Sequence, residues 1–192
     1  MARSKEYDEN AVLHKAMQLF WEQGYEKTSM ADLVEHMGIH RRSLYDTFSD
    51  KHALFLKAMD RYGEIMDRNL ETGIKKAETA DQAIRFIFKY TIDKTDNTPT
   101  GCLFVNAAVE LGARDAVTDA KAITGFAKEE QLLASIIQWG QQNDEFSTDY
   151  DAQDLAASMQ NTLLGLRVLA RTSISKEKLY DRAAIFMKIL KK

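Results

Sequence analysis

The stretch GYEKTSMADLVEHMGIHRRSLYDTFSDKHAL, residues 24–54, decides the fold. Met30, Leu33, Val34 and Met37 recur at i, i+3, i+4 and i+7, which predicts a short helix over 29–37 with one apolar face. Thr28 or Ser29 is placed to cap it, and Ser29-x-x-Asp32 fits a capping box. Gly38 supplies the positive φ that ends this helix and turns the chain. A second short helix is predicted over 40–48, burying Leu44 and Phe48 and leaving Arg41, Arg42, Ser43 and Thr47 outside. A short helix with a bulky polar face after a Gly turn has the form of a DNA-reading element.

Outward from this stretch the pattern stays helical. A first helix is predicted over 10–23 on Leu13, Ala16, Met17 and Phe20. Asp50 is placed to cap a long helix carrying Leu54, Phe55, Ala58, Met59, Tyr62, Ile65 and Met66, a stripe too long for a three-helix domain. Further helices are predicted over 80–94, 102–111, 116–143, 152–171 and 176–190. The loops fall around Pro99, at 143–151 and at 172–175. The expectation is an all-α chain of about nine helices. An N-terminal helix-turn-helix domain would cover 1–50, and a larger helical domain 51–192.

With 192 residues, 45% apolar and 29% charged, the chain has the composition of a soluble globular protein. No apolar run reaches membrane-spanning length, and the first residues lack the hydrophobic region of a secretion signal. A single cysteine, Cys102, rules out an intrachain disulfide and fits a reducing cytoplasm. The net charge of −3 gives no global attraction to nucleic acid. Through residue 57 eight basic residues face nine acidic ones, so DNA binding has to rest on a focused patch. Arg3 and Lys5 in the polar N-terminus are placed to reach a phosphate. All four histidines fall in this region, which predicts tighter DNA binding below pH 7.

These residues resemble the TetR family of one-component transcriptional regulators. The resemblance is carried by Leu19-Phe20, Gly24-Tyr25, Thr28-Ser29, Asp32-Leu33, Gly38-Ile39, Leu44-Tyr45, Phe48, Lys51 and Leu54, about a quarter of the chain. It implies a three-helix DNA-binding domain followed by a helical domain that binds ligand and dimerises. His40, Arg41 and Arg42 stand where the family often has serine, lysine and glycine, which implies a different operator sequence. Ser43 and Thr47 take family contact positions. Tyr45 and Lys51 resemble phosphate-contacting residues, and Thr28 and Ser29 would add a further phosphate contact. An arginine here presents a bidentate fork to guanine.

In the second domain, Cys102, Asn106 and Glu110 repeat at i, i+4 and i+8. Cys102 is expected in the first turn, where free N–H groups favour a thiolate. The Gly-Cys helix start resembles one in TetR-type regulators, some of which sense electrophiles or oxidants through it. The alternative is an inert, buried cysteine. Asn106 and Glu110 are candidates to line a small-molecule effector pocket, with Tyr90, Phe126 and Trp139 as its walls or as ordinary core. Leu155, Met159, Leu163, Leu166 and Leu169 form one stripe, and Leu179, Ala183, Phe186 and Leu190 another. The resemblance implies a homodimer through these helices, although such stripes serve an intrachain core equally well.

The expected function is a dimeric DNA-binding regulator, released from a palindromic operator by its effector, with no cofactor, and the resemblance implies a repressor. His36 and His40 are separated by Gly38 and lack a third ligand, so no metal site is expected. The competing readings are a helical adaptor with a degenerate helix-turn-helix, or an enzyme using Cys102 as nucleophile. The enzyme needs a base beside the thiol, yet all four histidines lie within the first 52 residues.

Overall fold

A computed structural model describes residues 7–93 and 98–191; Arg3 and Lys5 lie outside them. Among the described residues the chain forms nine α-helices. They are α1 (Glu9–Gln23), α2 (Met30–Met37), α3 (Arg41–Phe48), α4 (Lys51–Ile74), α5 (Ala80–Ile92), α6 (Leu103–Leu111), α7 (Ala116–Gln142), α8 (Ala152–Leu169) and α9 (Lys176–Leu190).

Short polar side chains set most helix starts by accepting orphan backbone N–H groups. Asp8 caps α1, Asp50 caps α4, Thr79 caps α5, Asp115 caps α7, Asp151 caps α8 and Ser175 caps α9. At α2 the capping box is complete: Ser29 Oγ accepts from Asp32 N at 3.1 Å, and Asp32 Oδ2 accepts from Ser29 N at 2.8 Å. Gly38 then adopts φ 71°, ψ 34°, the left-handed cap that closes α2.

Two hydrophobic cores result. Phe20, Leu33, Met37, Leu44, Phe48, Leu54, Phe55 and Tyr62 form the first with other residues of α1–α4. Its packing extends well past the N-terminal segment, because Leu103, Val105, Ala107 and Leu111 of α6 complete it. The second core gathers α5, α7, α8 and α9, and Leu70 of α4 reaches into it. At about 1.5 Å per residue, α4 is roughly 36 Å long, enough to serve both.

The predicted interface stripes belong to this second core. Leu155 is 5% exposed, Met159 and Leu163 0%, Leu166 and Leu179 2%, and Phe186 4%, all within one chain. Helical periodicity identifies the face that is buried but not which chain buries it. The outward faces carry Asn161, Gly165 and Val168 on α8, and Arg182, Ile185 and Ile189 on α9. Val168, Ile185 and Ile189 are half-exposed apolar side chains, and space beside Gly165 is open.

Candidate nucleic-acid interface and effector cavity

Leu33, Met37, Ile39, Leu44 and Phe48 anchor the α2–α3 hairpin from beneath. Burial of these side chains forces the intervening residues outward, so His40, Arg41, Arg42 and Tyr45 form an exposed front. Arg41 lies over the Tyr45 ring, 5.8 Å from its centroid, which orders both side chains. Arg42 faces Asp46 across 3.7 Å, with both side chains largely in solvent. Ser43 is half-buried beside this front.

Three predicted phosphate or base contacts stand differently. Thr28 is fully buried and donates its hydroxyl to the Gly24 carbonyl at 2.6 Å, so that hydroxyl does not face DNA. Ser29 is exposed, but its Oγ and N–H are both engaged in the capping box. Thr47 Oγ1 is 2.6 Å from the Tyr7 hydroxyl, which also approaches the Ser43 carbonyl at 3.3 Å. Tyr7 thus braces α3 from the N-terminal segment. The sequence carries no local signal for that contact, which spans 40 residues. Lys51 Nζ stands 4.2 Å over the Tyr25 ring and keeps a half-exposed position at the start of α4.

The histidines do not act as one group. Burial and the neighbouring Arg61 lower the pKa of His14. His52 Nε2 lies 2.5 Å from Asp115 Oδ2, and Thr118 and His52 together bring the Asp115 carboxyl down to about 2. His36 and His40 are exposed.

The segment joining α1 to α2 is held from the second domain by three side chains. Glu110, at the end of α6, accepts from the backbone N–H of Tyr25 at 2.8 Å and of Glu26 at 2.7 Å. Asn106, one turn earlier, donates to the Trp21 carbonyl at 3.1 Å. Arg171, just beyond α8, donates to the Trp21 carbonyl at 3.0 Å and to the Glu22 carbonyl at 3.1 Å. The cation thus meets free carbonyls at the C-terminus of α1, and the carboxylate meets N–H groups ahead of α2. Gly24 makes the approach possible: it sits at φ 88°, and a Cβ there would come within 2.9 Å of Glu110 Oε2. Asn106 and Glu110, predicted as ligand contacts, therefore serve this clasp.

Between α4 and α7 lies a cavity of about 1080 Å³. Met59, Tyr62, Met66 and Leu70 of α4 wall one side, and Phe126 and Leu132 of α7 the other. Its interior charge is Arg167 of α8, 5% exposed, which grips Glu129 with two donors, one at 2.7 Å. Burial opposes the guanidinium charge, yet Glu129 leads the groups that more than offset it and raise its pKa. Lys121–Asp60 and Lys128–Asp67 pairs bridge α7 to α4 at the rim.

Cys102 also lines this cavity, as Tyr62 does, and is 3% exposed. It is the N-cap of α6 at φ −140°, ψ 129°, rather than a first-turn residue, and its side chain caps no N–H. That extended geometry takes it out of the helical register, which is why it leaves the face of Asn106 and Glu110. Of the predicted aromatic walls, Phe126 lines the large cavity and Tyr90 a smaller adjoining chamber. Trp139 packs against the second core and lines neither.

A helix-turn-helix clasped to a larger helical domain defines a class of DNA-binding protein. Residues 12–58 match the profile of bacterial regulatory proteins of the tetR family, and residues 80–186 match the tetracyclin repressor-like C-terminal domain. The chain belongs to the TetR family of DNA-binding transcriptional regulators, which are not enzymes. It is 30% identical to the uncharacterized HTH-type transcriptional regulator YezE of Bacillus subtilis (strain 168), over 99% of this chain and 100% of that one. It is also 30% identical to the HTH-type transcriptional repressor ComR of Escherichia coli (strain K12), over 97% and 90% of the two chains. Among solved structures, a cysteine mutant of the TetR family transcriptional regulator CifR, complexed with a 26-bp double-strand operator DNA, is 27% identical. That match has a TM-score of 0.86 and covers 98% of this chain and 99% of that one. Among the described residues no helix is long and apolar enough to cross a membrane.

The clasp predicts the outcome of removing its carboxylate. Glu110→Ala leaves the Tyr25 and Glu26 N–H groups without their partner, and urea unfolding should show a loss of about 1–3 kcal/mol. Unchanged stability would return Glu110 to the candidates for ligand contact.

Proposed function

We propose that the protein is a homodimeric repressor, working in the cytoplasm, that a small-molecule effector releases from a palindromic operator. One observation carries this reading: α4 starts directly after the DNA-reading hairpin, and its middle and far turns wall the 1080 Å³ cavity. An occupant that spreads α4 from α7 acts on the helix that orients α3. The clasp on residues 21–26 transmits the same displacement through α6. A ligand that prefers the non-operator form 100-fold supplies about 2.7 kcal/mol toward release.

His40, Arg41 and Arg42 read the operator, with Ser43 at the edge of the contact and Tyr45 and Lys51 on phosphates. Arg41→Ala is expected to cost about 1–3 kcal/mol of operator binding and to relax preference at one base pair. A mobility-shift series with DNA upstream of the protein's own gene measures both. Retained affinity and preference in an Arg41→Ala, Arg42→Ala double variant would rule this front out.

A palindrome requires two copies, because one hairpin reads a half-site. The outward faces of α8 and α9, with Gly165, Val168, Ile185 and Ile189, form the dimer contact in this reading. Ile185→Asp buries a charge there and should convert the dimer to monomer in sedimentation. A dimer that survives Ile185→Asp combined with Val168→Asp would place the contact elsewhere.

The place of Cys102 on the cavity wall favours a second effector class, a quinone-type electrophile. Its sulfur would form an S–C bond to the electron-poor carbon while the thiol proton passes to the quinone. Cys102→Ser should bind operator as before and lose release by benzoquinone. Release that persists in Cys102→Ser excludes the thiol.

A further inference from the structure

Behind Tyr62 lies a second chamber of about 150 Å³, lined by His14 and Trp21 of α1, Asn69 of α4, and Tyr90 and Thr91 of α5. It shares Tyr62, Met66 and Arg167 with the large cavity. The Tyr62 ring partitions the two. It stands edge-on to Trp21 at 4.9 Å on one side and to Phe104 at 5.2 Å on the other. We propose that this chamber takes the carbonyl oxygen of a neutral ketone or aldehyde, placing the effector directly against α1. The proposal rests on reading the large cavity as the effector site.

The walls hold three buried polar atoms without partners: His14 Nδ1, Trp21 Nε1 and Thr91 Oγ1. An indole N–H only donates, so its missing partner is an acceptor. The Thr91 hydroxyl can donate as well. Tyr90 receives Asn69 Nδ2 at 3.0 Å and spends its own proton on the Met66 sulfur at 3.3 Å, a weak acceptor that a carbonyl oxygen outcompetes. Trp21, Thr91 and Tyr90 thus give the wall three donors that an acceptor guest can take.

The charges select a neutral guest. Burial and Arg61 keep His14 toward its neutral form. Arg167 is committed to Glu129 in a two-donor pair. The Asp93 carboxylate is also in the wall and takes Lys89 and Lys176, so an anion gains no open cation and meets a like charge. The volume equals roughly five waters at ~30 Å³ each, enough for the carbonyl end of a compact molecule. Trp21 ties the guest to the DNA-binding unit, because its carbonyl is the one held by Asn106 and Arg171.

Acetophenone and α-methylstyrene, which replaces the carbonyl oxygen by a methylene, test this by calorimetry on the full chain. Acetophenone should bind about tenfold tighter. Trp21→Phe and Thr91→Val, which remove one donor each while keeping shape, should each shrink that preference to roughly threefold or less. Equal binding of the two probes, binding of neither, or a preference that survives both substitutions overturns the proposal and leaves water as the chamber's occupant. Operator release is read separately by mobility shift. Selective binding of acetophenone with no release by it or by larger aryl ketones would sink the effector reading and leave the chamber assignment standing.

Discussion

The hold on residues 21–26 is the constraint on which the rest of the molecule depends. A three-helix domain with a short recognition helix carries only a small core, and here that core is finished by α6. Glu110, Asn106 and Arg171 then bind the backbone at the α1–α2 corner, pairing opposite partial charges at a helix end and a helix entrance. The contacts are to backbone atoms, so they fix position whatever side chains lie there. Movement of α6 or of the end of α8 must carry the reading head with it.

α4 is the second mechanical link, and it has no slack of its own. Its early residues Leu54, Phe55 and Ala58 are sealed in the first core, and Leu70 belongs to the second. Between them it forms the wall of a large cavity whose deep charge is the Arg167–Glu129 pair, with bridges from α7 to α4 at the rim. A buried pair of this kind adds little net stability, because desolvation offsets the attraction. It does fix where α8 stands relative to α7, and it leaves Arg167 facing both chambers.

Much of the architecture was legible in the chain because it depends on local rules. Ser29, Asp32, Gly38 and Asp50 announce their caps by residue type and spacing, and each does what its chemistry requires. Predicted helix boundaries differ from the observed ones by at most two residues, as with 152–171 against Ala152–Leu169. Positions at the site were legible less often. Thr28 looks like a surface cap but is buried, because the turn at Gly24 folds its hydroxyl back on the chain. Glu110 looks like a pocket carboxylate because sequence spacing cannot reveal a partner 84 or 85 residues away. Cys102 left its expected face because it precedes the helix instead of entering it.

By itself, the sequence determined the helices, their order, the helix-turn-helix and the arginine-rich front of α3, since period, caps and a glycine at positive φ act within a few residues. Only the tertiary structure decided that the apolar stripes of α8 and α9 pack within one chain. It alone brought Glu110, Asn106 and Arg171 to one corner, and set Tyr62 between two chambers. Those outcomes depend on the packing of helices distant in the chain, where an apolar stripe specifies burial but not the neighbour that provides it.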